Sequence, residues 1–216
     1  MRKVYLNSFA SLVSKRNENS LMNAIGRMVE DHDAPFWYSR IRSGVKSFFG
    51  ENLDYSILDS LLVKLGTVVT RTTFQKNDCE NSREAVKLIY NMSFEFLKGK
   101  TLLRPAAKSI PFYGIELDVN PDAIIMWKDQ QGQYHVGAIK TKLKKSAFRK
   151  EEATMIACMI KYYLHTLFPE YEVEDDYCIC YDAFRSKFYH VTDYSKNLLL
   201  ASSIAQRIAA MAPVAA

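Results

Sequence analysis

Asp122, which follows Pro121, and Lys140, inside Ala138-Ile139-Lys140-Thr141, are the residues of this chain whose types and spacing suit a single chemistry. They flank a hairpin pattern. Ala123 to Trp127 is an apolar run, Lys128 to Gln133 a polar turn with one glycine, and Tyr134 to Leu143 a second strand. Side chains alternate faces along a strand, so Ala138, Lys140 and Lys142 share one face. Asp122, near the start of one antiparallel strand, lies across from residues near the end of the other. A carboxylate and an ammonium so placed suit metal-dependent phosphodiester cleavage. The carboxylate holds a hard cation such as Mg2+ through oxygen, and the lysine orients or activates water and offsets phosphate charge.

Each of these residues also has a plainer role open to it. Asn120-Pro121-Asp122 favours a turn, and Asp122 can cap the entry to its strand. Glu116 and Asp118 are alternative ligands or solvated edge charges. Lys140 sits in a strand-like segment where an unpaired ammonium is costly, so it calls for an acid, a phosphate or a route to the sheet rim. Lys142, Lys144 and Lys145 continue past it as a solvated basic rim or as contacts to backbone phosphates.

The elements that must position these residues are read from periodicity. Residues 1–80 have a helical pattern. Leu21, Ile25, Met28 and Val29 mark one stripe, and Pro35 opens a second with Phe36, Trp37, Ile41, Val45, Phe48 and Phe49. Asp54 is the expected N-cap of a third, over Ile57, Leu58, Leu61, Leu62, Leu65 and Val68. Asn81-Ser82-Arg83-Glu84 has the form of a capping box, predicting a helix from there through Phe96 that ends at Gly99. Ile110 to Leu117 reads as a strand or strand pair leading into the hairpin. Lys150 to Phe168 reads as a strong amphipathic helix, Tyr177 to Tyr181 and Phe188 to Val191 as a second hairpin, and Ser195 to Met211 as a closing helix.

The Pro121-Asp122 pair, the hairpin and Ile139-Lys140-Thr141 resemble the PD-(D/E)XK nuclease superfamily, and the predicted order from Asn81 to Val191 is similar to that family's αβββαβ core. The resemblance implies an α/β, restriction-endonuclease-like fold over 81–216, preceded by an all-helical region over 1–80. It implies Asp122, Lys140 and Glu152 as catalytic residues. The family's second acid falls on Ala138 here, or on Lys140 if Lys142 is taken as the motif lysine, and Glu152 on the following helix is the candidate to replace it. Glu152 is in phase with Ile156, Ile160, Tyr163 and Leu167, although acids also favour a helix's first turn for its dipole alone. Glu84 is open to a cap or to a share in the same site. By the same resemblance Asp122 and Glu152 hold Mg2+ or Mn2+, while Lys142, Lys144, Lys145, Arg149 and Lys150 track the phosphates of DNA, with RNA left open. The setting it implies is restriction or phage defence. The alternative is a catalytically degenerate nuclease fold that binds nucleic acid, or a protein partner through its N-terminal helices.

Bulk properties agree with a globular domain of ordinary size. Of the 216 residues, 48% are hydrophobic and 25% charged, and the net charge of +5 is a mild basic bias. Six basic residues and no acid lie between Lys140 and Lys150, whereas Glu170 to Asp176 carries five acids. The spacing of Cys79, Cys158, Cys178 and Cys180 forms no disulfide framework, and neither His165 nor His190 supplies an obvious zinc pair. These features predict reduced thiols in a cytoplasmic protein. No segment has the length of a membrane span, and no signal-peptide core opens the chain. No Walker-type glycine loop is present.

Overall fold

A computed structural model of the chain describes residues 1–15, 17–30, 38–143, 145 and 149–211. Pro35, Phe36, Trp37 and Lys144 lie outside the described residues. The centre is a five-stranded sheet of β2 (Thr101–Leu103), β5 (Ala123–Lys128), β6 (Tyr134–Lys142), β7 (Glu172–Asp182) and β8 (Lys187–Tyr189), in the order β2-β5-β6-β7-β8. Every neighbouring pair is antiparallel except β6 and β7, which run parallel because α6 (Lys150–Leu167) crosses over between them. The predicted hairpin is β5 and β6, with Ala123 paired to Ile139 and Lys128 to Tyr134.

A second sheet has the order β1-β4-β3, from β1 (Arg2–Tyr5), β3 (Ser109–Phe112) and β4 (Ile115–Asp118). One expectation is corrected here. The first 80 residues are not all helical, because they open on β1, which pairs parallel with β4. Ile110 to Leu117 is the expected strand pair ahead of the hairpin, β3 and β4. It folds back at Tyr113-Gly114, both at positive φ as a two-residue hairpin turn requires, and joins the second sheet. The neighbour of β5 is instead β2, whose three residues are too short to show a period.

Alternation assigns the two faces of the central sheet. Ile124, Val136, Ala138, Cys178 and Cys180 pack with α1 (Leu6–Val13), α6 and α7 (Tyr194–Met211), together with Ile110, Phe112, Ile115 and Leu117 of the second sheet. Ala123, Ile125, Ile139, Ile179 and Tyr181 pack beneath α3 (Ser39–Gly50), α4 (Tyr55–Thr67) and α5 (Thr73–Tyr90). Side chains such as Phe48, Phe49, Ile139 and Ile156 are wholly buried, each contributing about 1.5–3 kcal/mol of transfer free energy. Residues of α2 (Glu18–Glu30), including Leu21, Met22 and Ile25, join the first of these cores.

Asp54 caps α4 as expected, accepting from the Ser56 amide at 3.0 Å. The start of α5 is corrected. Thr72 is its N-cap, accepting from the Gln75 amide, while Gln75 accepts from the Arg71 amide at 2.8 Å. Asn81 and Glu84 therefore lie inside this helix, a division of the chain between 80 and 81 cuts through it, and it ends at Tyr90 rather than at Gly99.

Candidate functional site

The turn Asn120-Pro121-Asp122 links the two sheets, ending β4 at Asp118 and beginning β5 at Ala123. Asn120 takes a left-handed conformation (φ 41°), and its amide donates to the Lys108 carbonyl at 2.8 Å. Asp122 is buried. Its amide donates to the Ile139 carbonyl at 2.7 Å, and its Oδ2 accepts from the Thr141 amide at 2.5 Å. The carboxylate thus continues the β5–β6 ladder one step past the last backbone pair, which is the strand-capping role. With Ala123 paired to Ile139, the next step sets Asp122 against Lys140.

Lys140 is half-buried and donates to the Asn120 backbone carbonyl at 2.9 Å. Burial lowers its pKa from 10.5 to about 8, with Asp122 and Asp118 pulling it up and Lys46 and Arg42 pushing it further down. Lys46 bonds the side-chain oxygen of the same Asn120, and its pKa is also lowered, first by burial. Arg42 and Lys46 are four apart on α3, hence on one helical face. Asn120 thereby draws two ammonium groups to one turn, one through its backbone and one through its side chain. Asp118 is also buried rather than a solvated edge charge, and pairs with Lys3 at 3.0 Å. Glu116 accepts from the Ser109 hydroxyl at 2.5 Å.

The other expected site residues are dispersed. Ala138, at the position of the missing acid, is fully buried in the core beneath α6. Glu152 is half-buried in the first turn of α6, in phase with buried Ile156, Ile160 and Tyr163, and makes no hydrogen bond or ion pair among the described residues. Glu84 is exposed and pairs with Lys145 at 2.6 Å, so it caps no helix. Lys142 is buried, which corrects its place on a solvated rim. Arg149 donates to the Ser14 carbonyl at 2.8 Å, and Lys150 is exposed at the start of α6. The basic stretch is thus divided between the sheet interior, an ion pair and the surface.

Lys46 and Arg42, whose only signal in the sequence is their helical spacing, and His135, at the opposite end of the hairpin, are not among the expected site residues. His135 is buried, stacks on Trp127 with centroids 5.3 Å apart, and faces Asp129 and Glu174. Burial lowers its pKa, but hydrogen bonds to those two carboxylates outweigh burial and raise it. All four cysteines are free and buried, and burial pushes the thiols of Cys158 and Cys180 up to about 11 and about 12, which removes them as nucleophiles. Among the described residues, no helix is long and apolar enough to cross a membrane. No protein-family model matches the chain, and no curated protein matches it.

Proposed function

We propose that the chain is a nuclease-like protein that grips the phosphate backbone of DNA at the end of the β5–β6 hairpin, with Lys140 and Lys46 as the phosphate ligands. The observation that carries this is the convergence of both ammonium groups on Asn120, each with a lowered pKa and with Arg42 and Lys108 nearby. Burial is the main cause of both shifts and the neighbouring cations add to it, so an anion beside the two ammonium groups would stabilise their charged forms. The order α5, β2, β5, β6, α6, β7, with β6 parallel to β7, supports a restriction-endonuclease-like core in which β3 and β4 are an insertion.

A resident Mg2+ or Mn2+ is not a good fit for this donor set. Ala138 leaves the second acid absent, Asp122 Oδ2 is bonded to Thr141 and Asp118 to Lys3, while Lys140, Lys46, Arg42 and Lys108 supply an excess of positive charge. Binding without cutting is therefore the function favoured, as in a catalytically degenerate member of the PD-(D/E)XK superfamily. One observation favours cleavage as the second reading. A lysine with a pKa of about 8 beside a buried aspartate has a neutral fraction able to take a proton from water.

Both are tested with linear, circular and single-stranded DNA, with and without Mg2+ or Mn2+, using wild type, Asp122→Asn and Lys140→Met. Salt-sensitive binding that weakens in Lys140→Met, without cleavage, is the expected result. Metal-dependent cleavage abolished by both substitutions establishes the second reading, and no binding to any of the three removes both.

A further inference from the structure

The far end of the same hairpin has the opposite charge balance. The turn Asp129–Gln133 is locked on itself. The Asp129 amide donates to the Gln133 carbonyl, Asp129 Oδ1 accepts from the Gln133 amide at 2.8 Å, and Gly132 takes φ 87°. This leaves Asp129 Oδ2 fixed at 3.2 Å from Nε2 of His135. The imidazole is held in its plane by Trp127, stacked at 9°, and Trp127 is in turn packed on Tyr177 at 4.5 Å. Its other nitrogen, Nδ1, faces β7. The parallel register pairs His135 with Glu172, and alternation brings Glu174 to the same face, so Nδ1 lies 2.7 Å from Glu174 Oε1 and 3.9 Å from Glu172 Oε2.

We propose that His135 Nδ1, Glu172 and Glu174 form a binding site for a divalent transition-metal ion, zinc foremost, with Asp129 as the carboxylate that orients the imidazole from behind. Three independent features converge on this. The ligand atoms of His135, Glu172 and Glu174 all lie within 4.8 Å of one another. Tetrahedral coordination at about 2.1 Å per bond sets ligand atoms about 3.4 Å apart, and the two separations from Nδ1 fall on either side of that value. Second, a metal-bound histidine donates its remaining N–H to a carboxylate, and Asp129 occupies that place. Third, three carboxylates meet one imidazole. Even a fully protonated ring leaves a net charge of about −2 in this half-buried corner, which a dication cancels. A mixed nitrogen and oxygen donor set that includes an imidazole suits zinc better than manganese or magnesium. Glu172 is largely exposed, so ion and water have a route in.

The experiment loads chelator-treated full-length protein with Zn2+ or Mn2+, measures bound metal per chain after equilibrium dialysis, and follows the melting temperature. Wild type, His135→Gln, the double variant Glu172→Gln/Glu174→Gln, Asp129→Asn and a His190→Gln control are compared. One bound ion per wild-type chain is expected, with a rise in melting temperature. Affinity falls by more than about 100-fold in His135→Gln and in the double variant, falls by about 10- to 100-fold in Asp129→Asn, and is unchanged in the control. Substoichiometric metal in wild type, or binding in His135→Gln or the double variant as tight as in wild type, overturns the site. The double variant alters exposed and half-exposed glutamates, so it decides the matter even if His135→Gln fails to fold. DNA binding through Lys140 neither requires nor predicts any of these outcomes.

Discussion

Asp122 reaches across the hairpin to accept a hydrogen bond from the Thr141 amide at 2.5 Å, doing with a side chain what the backbone does along the rest of β5 and β6. That bond gives Asp122 a structural task whatever else it does. Asp122→Ala leaves the Thr141 amide without this acceptor in a buried position and should destabilise the protein by about 1–3 kcal/mol. Asp122→Asn retains a carbonyl oxygen for the same amide and should cost less than half as much. Urea unfolding of the two variants checks this, and equal losses would mean that charge rather than ladder continuity is what Asp122 supplies.

Lys140 carries a pH signature. Its folded pKa of about 8 lies below the ordinary 10.5, so between those values the unfolded chain holds a proton that the folded chain has released. Stability therefore rises with pH across that window, and below it the protonated lysine is a standing penalty. Relative to Lys140→Met, wild type should gain stability as pH climbs through 8, by at most about 1.4 kcal/mol per pH unit and less where solvent reaches the half-buried ammonium. Urea unfolding of both proteins at intervals across the window tests the sign. A flat difference would show that Lys140 titrates at its ordinary value.

The cationic turn predicts how DNA binding responds to salt. If Lys46 and Lys140 each neutralise a phosphate, replacing either with alanine lowers the slope of log affinity against log salt by about 1, with little regard to sequence. Lys145, already paired with Glu84 at 2.6 Å, should contribute less than half of that when replaced by alanine. Fluorescence anisotropy over a salt series separates the three. A Lys145 effect equal to the other two would move the interface from the hairpin end to the loop before α6.

What was legible in the sequence follows from how local its cause is. The β5–β6 hairpin, the α6 stripe and the Asp54 cap were readable because alternation, helical phase and an Asx cap are all written within a few neighbouring residues. The start of α5 is ambiguous in the sequence because two stretches compete. Asn81-Ser82-Arg83-Glu84 has the form of a capping box, but Thr72-Thr73-Phe74-Gln75 is the one whose side chains make the bonds. The strands β1 and β2 have four and three residues, and their partners lie far along the chain, so no period announces them. Lys46 reaches the Asp122 turn only through the packing of α3. Glu172 and Glu174 reach His135 only through the parallel register that α6 imposes. Neither juxtaposition is present in any window of sequence.

That parallel register rests in turn on Gly137. A Cβ added there would lie 2.4 Å from Tyr177 Cβ and 2.6 Å from the Tyr177 carbonyl oxygen, and the second of these is backbone that cannot rotate away. The β6–β7 pairing is irregular at this point, shifting between Val136 and Ala138, so the close approach is where the two strands adjust to one another. Gly137→Ala must push β7 away from β6, and a loss of about 1–3 kcal/mol is expected. The displacement also separates the two halves of the pairing. His135 with Glu172 lies on one side of the irregularity and Lys140 with Cys180 on the other, so metal retention and DNA binding should respond separately. Urea unfolding combined with both binding assays on Gly137→Ala tests this. A variant as stable as wild type would show that β7 accommodates a methyl group at Tyr177, and that the close contact does not fix the register.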